Sequence, residues 1–245
     1  MQLTFEGKTI DQVSIELIQA YSNPDEPYYG GFSGGKDSVV IYDLAKRAEV
    51  PIDWHYCVSP IDPPQIYKFI KEYYPDVQWD FHARGFWKLV VKKGLPMRQS
   101  RWCCEVIKEA GGKGRVKILG MRSAESNTRS KYKCFDTHGN KGDWLLPILN
   151  WSDSDVWQYI AERNLNVCPL YKEGFTRIGC ILCPFSRNIK REEYYFPKVT
   201  NLWKLACEKI VQQRIANGQK TNAGKPVKHE FWSGEELYQW WTSRS

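Results

Sequence analysis

Short apolar runs alternate with amphipathic stretches through the first half of the chain. Apolar side chains recur every three to four positions between Thr9 and Tyr21, which is typical of a helix that buries one face. The pattern predicts strands at 28–32, 50–58, 77–82 and 116–120 and further helices at 39–47 and 62–74. Strands that alternate with helices predict an α/β fold, in which helices flank a parallel twisted sheet.

The second part of the chain is mainly helical. Ser152 and Ser233 are each followed three residues later by an acidic residue, the spacing of a capping box, and predict two helix starts. A further helix is predicted at 200–217, a loop that holds two cysteines at 169–184, and a loose polar connection at 217–228. We therefore expect two domains, an α/β domain at 1–150 and a loop and helical region at 151–245 packed on it.

The composition is that of an ordinary globular protein. The 245 residues are 42% hydrophobic and 26% charged, and no apolar run approaches the roughly 20 residues that a membrane-spanning helix needs. The segment Met1–Glu6 has neither the basic start nor the apolar stretch of a signal peptide. We therefore expect a cytoplasmic protein without membrane contact. In such proteins clustered cysteines indicate metal or redox chemistry more often than disulfides, and this chain has eight cysteines.

The positive charge is concentrated in one segment. The formal net charge is +7, but residues 84–133 hold 14 basic and three acidic side chains, a local charge of +11. Such a segment favours an anionic ligand, either a small phosphate or sulfate compound or a nucleic-acid backbone. A solvated basic face is the simpler explanation of the charge taken alone.

The most informative motif is Ser33-Gly34-Gly35-Lys36-Asp37-Ser38, which follows a predicted strand and precedes a predicted helix. Paired glycines let the backbone bend so that successive N–H groups face one concavity, and the helix N-terminus adds positive potential. In the P-loop of common NTPases, by contrast, four residues separate the glycines before Gly-Lys-Ser/Thr. An ordinary turn needs glycine but not these polar neighbours, so the motif predicts a cradle for phosphate or sulfate oxygens.

Two cysteine pairs form the second motif. Cys103-Cys104 and Cys180-Ile181-Leu182-Cys183 are separated by 75 residues. Four thiolates bind zinc or an iron–sulfur cluster, but adjacent cysteines fit the usual zinc knuckle poorly and favour a cubane cluster. Four unrelated buried thiols are the alternative, since free cysteine is often buried. The other cysteines, Cys57, Cys134, Cys168 and Cys207, stand alone.

An arginine-bearing loop follows the strand predicted at 116–120. It reads Gly120-Met121-Arg122-Ser123-Ala124-Glu125-Ser126-Asn127-Thr128-Arg129. Two guanidinium groups seven residues apart can clamp an anion that the Gly-rich turn holds from the other side. Surface loops often carry arginine, so this motif alone is weak.

Together and in this order, the three motifs resemble the phosphoadenosine/adenosine phosphosulfate (PAPS/APS) reductase family of the adenine-nucleotide α-hydrolase superfamily, whose PP-loop reads SGGKDS. The likeness runs from about Phe32 to about Arg191. Two further stretches are similar to family motifs: Pro147-Ile148-Leu149-Asn150-Trp151-Ser152-Asp153-Ser154-Asp155-Val156-Trp157, and the run from Pro169-Leu170-Tyr171 to Cys180. One departure is Glu125, which stands where a glutamine is usual.

The resemblance implies an adenine-nucleotide-binding oxidoreductase of sulfur metabolism. Its nucleotide would be bound by Ser33, Gly34, Gly35, Lys36, Asp37, Ser38, Arg122, Glu125 and Arg129, of which Lys36, Arg122 and Arg129 would also act in catalysis by neutralising the sulfate–phosphate. In cluster-bearing members, four cysteines so arranged hold a 4Fe–4S cluster. This implies a cluster on Cys103, Cys104, Cys180 and Cys183.

The family's nucleophile has no counterpart at the end of this sequence. Reductases attack the sulfate sulfur with a cysteine of a C-terminal Glu-Cys-Gly motif, and thioredoxin or glutaredoxin resolves the product. The sequence ends Tyr238-Gln239-Trp240-Trp241-Thr242-Ser243-Arg244-Ser245, and its last cysteine is Cys207. Cys134 is the best substitute, because neighbouring lysines favour a thiolate. A thiol from another protein is the alternative.

Two other function classes stay open. The first is an ATP pyrophosphatase that adenylates tRNA or DNA for sulfur transfer, with Asp37 helping to hold Mg²⁺ and with Trp87 and Trp102 available for base stacking. The absent C-terminal cysteine favours this class, whereas the arrangement of cysteine pairs favours the reductase. The second is an accessory protein that senses a nucleotide or a cluster without turnover.

Overall fold

The computed structural model describes residues 7–220 and 224–243. Met1–Glu6, the last two residues of the chain and residues 221–223 of the predicted connection lie outside the described residues. The strands are β1 (Tyr28–Gly31), β2 (Ile52–Cys57), β3 (Gln78–Asp80), β4 (Lys117–Leu119), β5 (Phe135–Thr137) and β6 (Asp143–Leu145). The helices are α1 (Ile10–Ala20), α2 (Lys36–Ala48), α3 (Pro64–Tyr73), α4 (Phe86–Lys93), α5 (Trp102–Ile107), α6 (Asp153–Glu162), α7 (Ile189–Tyr195), α8 (Pro197–Ala216) and α9 (Gly234–Thr242).

The described strands form one sheet in the order β3-β2-β1-β4-β6-β5. All neighbours pair in parallel except β5, which runs antiparallel to β6 at one edge. The predicted α/β fold is confirmed. In sheets of this kind ligands bind beyond the carboxyl ends of the strands, which is the edge where the turns after β1 and β4 lie.

Gly30 lets β1 pass beneath a large aromatic side chain. A Cβ at this position would lie 2.4 Å from Cε3 of Trp54 on β2, so only glycine fits. Trp54 packs in turn against Tyr42 of α2 and Phe32, with ring centroids 5.0 and 6.3 Å apart. This buried aromatic group supports the end of β1, where the turn that begins at Ser33 leaves the sheet.

The contacts of the chain divide it into two compact units, each made of several segments. The first unit comprises 1–58, 64–82 and 108–178, and it holds the whole sheet with α1, α2, α3 and α6. The second comprises 59–63, 83–107 and 179–245, and it holds α4, α5 and α7 to α9. The predicted domains were each one continuous stretch, whereas neither of these units is.

Two buried tryptophans in contact join α8 and α9 of the second unit. The rings of Trp203 on α8 and Trp241 on α9 lie 4.7 Å apart, and Trp241 Nε1 donates to the carbonyl of Pro96 at 2.8 Å. The predicted start of α9 is confirmed, because Ser233 Oγ accepts a hydrogen bond from the Glu236 amide. Among the described residues, no helix combines the length and the apolar character that crossing a bilayer requires.

Candidate functional site

The Gly-rich motif forms a tight turn between β1 and α2, as predicted. Gly34 has φ +72°, and a Cβ there would lie 3.0 Å from the side chain of Ile66, so the position requires glycine. Ser33 Oγ accepts from the Gly35 amide at 3.4 Å, and Ser38 Oγ donates to the Gly35 carbonyl at 2.8 Å. These bonds fix the Gly-rich loop against the N-terminal end of α2. There the free N–H groups of the helix point outward and attract anions.

Four charged side chains meet at the start of α2, and we call Lys36, Asp37, Arg122 and Asp153 the ion-pair quartet. Lys36 Nζ lies 3.3 Å from Asp37 Oδ2 and 3.1 Å from Asp153 Oδ1. Arg122 donates from Nε to Asp37 at 2.7 Å and from a terminal nitrogen to Asp153 at 2.9 Å. Both cations are buried, with 5% and 4% of their surfaces exposed. Each therefore lies between the same two carboxylates.

The surroundings in the quartet fix the charges of Arg122 and Asp153. Burial alone would lower the pKa of Arg122, but Asp37 and Asp153 raise that pKa above its ordinary value. Burial alone would raise the pKa of Asp153, but hydrogen bonds and charge from Lys36 and Arg122 lower that pKa below its ordinary value. The Arg122 guanidinium and the Asp153 carboxylate are thus firmly charged near neutral pH. An anion that replaced the carboxylates would meet two buried cations.

Gly120 allows β4 to approach the turn that carries the quartet. A Cβ at residue 120 would lie 2.9 Å from both the carbonyl carbon and oxygen of Asp37 and 3.1 Å from the Ser38 nitrogen. These are backbone atoms, so they cannot swing aside as a flexible side chain would. The glycine therefore sets the distance between Arg122, two residues further on, and the start of α2.

Gly120→Ala is expected to lower the free energy of unfolding by about 1–3 kcal/mol, because the added methyl group overpacks this contact. The measurement is urea denaturation of the full chain. Gly179→Ala is the control, since nothing lies within 4 Å of a Cβ there and its φ is not in the left-handed region. Equal losses of stability in both variants would contradict the assigned role of Gly120.

The loop after β4 turns its second arginine toward a glutamate. The Arg122 amide donates to Glu125 Oε2 at 3.0 Å, and the Arg129 guanidinium pairs with the same carboxylate oxygen. The side chain of Arg129 is 28% exposed, much more than that of Arg122. The two arginines therefore occupy different surroundings, and the clamp by Arg122 and Arg129 stays a prediction.

Two residues of the site were not assigned a role from the sequence. Asp153 completes the quartet, and Tyr171 Oη accepts a hydrogen bond from the Lys36 amide at 2.9 Å. Burial raises the pKa of Tyr171, and its ring packs edge-on against Trp157 at 5.1 Å. Both residues lie in the stretches that resemble family motifs, and this resemblance is the sequence feature that could have identified them.

Both predicted cysteine pairs lie in the second unit. Cys103 and Cys104 belong to the first turn of α5, and Cys180 and Cys183 belong to the turn that follows residue 178. A hydrogen bond with Cys104 and then burial raise the pKa of Cys103, and the charges of Cys180 and Cys183 raise it further. All four thiols are partly exposed, unlike Cys207. Cysteine thiolates are the ligands that an iron–sulfur cluster takes, so the chemistry of these four residues fits that group.

Polar neighbours reach two of these sulfur atoms. An Arg101 terminal nitrogen lies 3.5 Å from Cys104 Sγ, and the Ser59 hydroxyl lies 3.8 Å from Cys180 Sγ. The turn itself is held by Glu192, whose carboxylate accepts from the Leu182 amide at 2.6 Å, and by the Ile181 amide, which donates to the carbonyl of Ile61 at 2.7 Å. Such neighbours orient metal ligands and tune a cluster.

The prediction that lysines lower the pKa of the Cys134 thiol is wrong. Cys134 lies immediately before β5 and is half buried, and burial raises its pKa. Its carbonyl accepts from the Leu146 amide at 2.7 Å, which shows that its backbone belongs to the edge of the sheet and not to an open loop. The thiol is therefore mostly protonated near neutral pH. Its role as the nucleophile stays a prediction, but the neighbouring lysines no longer support it.

One expectation about a single side chain changes. Trp102 was predicted to be available for base stacking, but it is 7% exposed and packs beside Phe86. Cys207 on α8 is buried, and burial raises its pKa to about 12.

Comparison with known proteins assigns the chain to a family. The model of the phosphoadenosine phosphosulfate reductase domain matches residues 28–186, from β1 to the turn with Cys183. The chain belongs to this family. The PAPS reductase domain therefore includes the whole sheet and both cysteine pairs, whereas α1 and α7 to α9 lie outside it.

The relatives of this PAPS reductase family member include proteins with and without an assigned activity. An uncharacterized protein of Methanocaldococcus jannaschii is 28% identical over 216 residues, which are 79% of this chain and 52% of that protein. The adenosine 5′-phosphosulfate reductase of Allochromatium vinosum is 23% identical over 198 residues, 71% of this chain and 75% of that enzyme. The chain spans about half the length of the first of these relatives.

A solved structure supports the same fold. The crystal structure of phosphoadenylyl-sulfate reductase from Candida auris, in a phosphate complex, has a TM-score of 0.51 and 17% sequence identity. The match covers 74% of this chain and 97% of that chain. At this identity the likeness concerns the fold alone, and it agrees with the mostly parallel sheet described above.

Proposed function

We propose that the chain is a sulfonucleotide reductase-like enzyme, an oxidoreductase that takes adenylyl sulfate or its 3′-phosphorylated form. The observation that carries this proposal is the pair of buried cations, Lys36 and Arg122, at the start of α2. Two buried positive charges beside a Gly-rich turn favour the sulfate–phosphate of such a nucleotide. The relation to an adenosine 5′-phosphosulfate reductase supports the choice of nucleotide.

In this proposal each member of the site has a separate task. The turn at Ser33–Gly35 and the amides of α2 bind the phosphate oxygens, and Lys36 and Arg122 offset the charge that develops on the departing adenylate. Asp37 orients Arg122, while Arg129 and Glu125 hold the loop after β4. Cys103, Cys104, Cys180 and Cys183 would hold a 4Fe–4S cluster, which would supply a redox centre whose potential its surroundings tune.

The sulfur chemistry requires a thiolate and a second thiol. The thiolate attacks the sulfate sulfur, the S–O bond to the adenylate phosphate breaks, and the adenylate leaves with the bonding electrons. A second thiol then attacks the sulfur of the attacking thiol, which releases sulfite and forms a disulfide. Because burial raises the pKa of Cys134, we propose that thioredoxin or glutaredoxin supplies both thiols.

A second candidate, an ATP pyrophosphatase, is favoured by the two carboxylates of the quartet. Asp37 and Asp153 present oxygen ligands at the start of α2, and Asp153 has 64% of its side chain exposed. Mg²⁺ on a nucleoside triphosphate prefers such ligands. In this candidate the leaving group is pyrophosphate, and the acceptor is an oxygen of a nucleic acid.

The test is a substrate panel on anaerobically purified protein, with Lys36→Ala and Lys46→Ala beside the parent. Lys46 is the matched control, since it lies on the same helix over the ring of Tyr42, away from the quartet. Thioredoxin-dependent sulfite release that Lys36→Ala lowers by about 30-fold or more, and Lys46→Ala leaves unchanged, supports the reductase. Pyrophosphate release from ATP without sulfite supports the second candidate. Neither product, with nucleotide still bound, overturns both and leaves a sensing role.

A further inference from the structure

A second group of chemically reactive side chains lies at the ends of β2 and β3, separate from the quartet and from the four cysteines. Cys57 and Asp80 are register partners on these neighbouring parallel strands, and His82 follows two residues after Asp80. One ligand atom of each residue lies within 4.8 Å of those of the other two. Thiol, carboxylate and imidazole therefore converge at one point of the sheet.

The spacing of these three atoms suits a single metal ion. Zinc lies about 2.3 Å from a cysteine sulfur, about 2.0–2.1 Å from a histidine nitrogen and about 2.0–2.2 Å from a carboxylate oxygen. Ligand atoms around one such ion are thus less than about 4.6 Å apart, so the side chains need only small rotations to reach it. Cys57 and Asp80 are partly buried, whereas His82 has 35% of its side chain exposed. The exposed imidazole leaves a path from solvent.

The neighbours of the group are those that a metal site requires. Tyr29 Oη donates to Asp80 Oδ2 at 2.9 Å, which orients the carboxylate. His55 stacks on Tyr29 at 4.3 Å, and its Nδ1 lies 3.0 Å from the same Asp80 oxygen. Neither ring nitrogen of His55 makes a hydrogen bond with the described residues, although both are buried. Buried polar atoms in this state need a partner, and Nδ1 lies beside Asp80 but does not belong to the group of three mutually close ligand atoms.

We propose that Cys57, Asp80 and His82 bind one zinc ion. Sulfur and imidazole donors select zinc over Mg²⁺ and Ca²⁺, which prefer oxygen alone. The ion joins the ends of β2 and the edge strand β3, so it would stabilise the side of the sheet opposite β5. The alternative is a metal-free cluster in which Asp80 only accepts hydrogen bonds.

The test is zinc binding by the chelator-stripped full chain, measured by metal content and by competition with a chromophoric chelator. His82→Gln and Cys57→Ser are each expected to lower the zinc content by one equivalent. The affinity of this site for zinc should fall by about 100-fold or more, because loss of a direct ligand weakens binding more than loss of an outer-shell partner does. Any zinc on the four paired cysteines is the same in every variant, so the difference isolates this site.

The chain offers matched controls for both variants. His138 Nε2 lies 3.6 Å from Asp136, the same distance as His82 Nε2 from Asp80, but no thiol accompanies it. His138→Gln and Cys134→Ser should therefore keep the parent zinc content. Because His82 is partly exposed, its glutamine variant should retain the parent circular dichroism and lose only the rise of the melting temperature with zinc. Parent zinc content and affinity in both His82→Gln and Cys57→Ser would overturn the proposal, whatever the outcome of the nucleotide assays.

Discussion

Arg122→Ala is expected to weaken the binding of adenosine 5′-phosphosulfate by about 30-fold or more and to lower the free energy of unfolding. Without Arg122, Asp37 and Asp153 share the single cation Lys36, and the net charge of the quartet changes from zero to −1. An anion that entered would meet uncompensated carboxylates. Truncating one partner of a hydrogen-bonded charge pair costs about 2–5 kcal/mol of binding free energy.

Arg122→Ala should lower the free energy of unfolding by less than the removal of one partner from a fully buried ion pair would. Removing one partner of such a pair costs about 3–5 kcal/mol. Asp153 has 64% of its side chain exposed, so water compensates part of the loss, and we expect about 1–3 kcal/mol. Isothermal titration and denaturant unfolding measure the two effects. Arg122→Lys should restore stability better than affinity, because lysine keeps the charge but not the two-pronged geometry.

Arg163→Ala is the matched control for Arg122→Ala. Arg163 also pairs with an aspartate of α2, with Nε 3.1 Å from Asp43, but its side chain is 45% exposed. Its removal should leave nucleotide affinity unchanged and lower the stability by less than about 1 kcal/mol. If Arg122→Ala bound the nucleotide as tightly as Arg163→Ala does, the quartet would not be the anion site.

Cys180→Ala is expected to abolish most of the iron and acid-labile sulfide of anaerobically prepared protein, because a 4Fe–4S cluster requires four ligands. The parent should be brown and should bleach in air. Cys207→Ala is the control, since this cysteine belongs to the same unit but is buried and not among the four. Equal iron in both variants, or zinc in place of iron in the parent, would contradict the cluster.

The turn with Cys180 should survive the loss of the cluster. Ile181 and Leu182 are 1% and 0% exposed, and both amides have partners outside the turn. We therefore expect Cys180→Ala to keep its helical circular dichroism while its melting temperature falls.

The sequence predicted the parts of the site that depend on neighbouring residues. The turn at Ser33–Gly35 was predictable because glycine and a following helix have a local signature, and the cap of α6 by Ser152 is equally local. Asp153 was quoted only within a motif, since its role depends on Lys36 and Arg122, which lie far away in the chain. Long-range ion pairs leave no periodic trace in a single sequence.

The pKa of Cys134 was predicted wrongly because it also depends on residues that are distant in the sequence. Neighbouring lysines predicted a low pKa, but the fold places Cys134 against β6, and burial outweighs the local charge. The strands β5 and β6 were not predicted from the sequence pattern, whereas the equally short β3 and β4 were. Tertiary contacts therefore determine both the formation of these strands and the pKa of the Cys134 thiol.

The division of the chain into interleaved segments has a consequence for its synthesis on the ribosome. The polypeptide passes from one unit to the other after residues 58, 63, 82, 107 and 178. Phe86 of α4 packs against Trp203, so the early part of the second unit is made long before its partner emerges. At roughly 5–20 residues per second this delay lasts several seconds. Packing of α4 against α8 therefore waits until Trp203 has been made, and no single continuous stretch of the chain forms either unit.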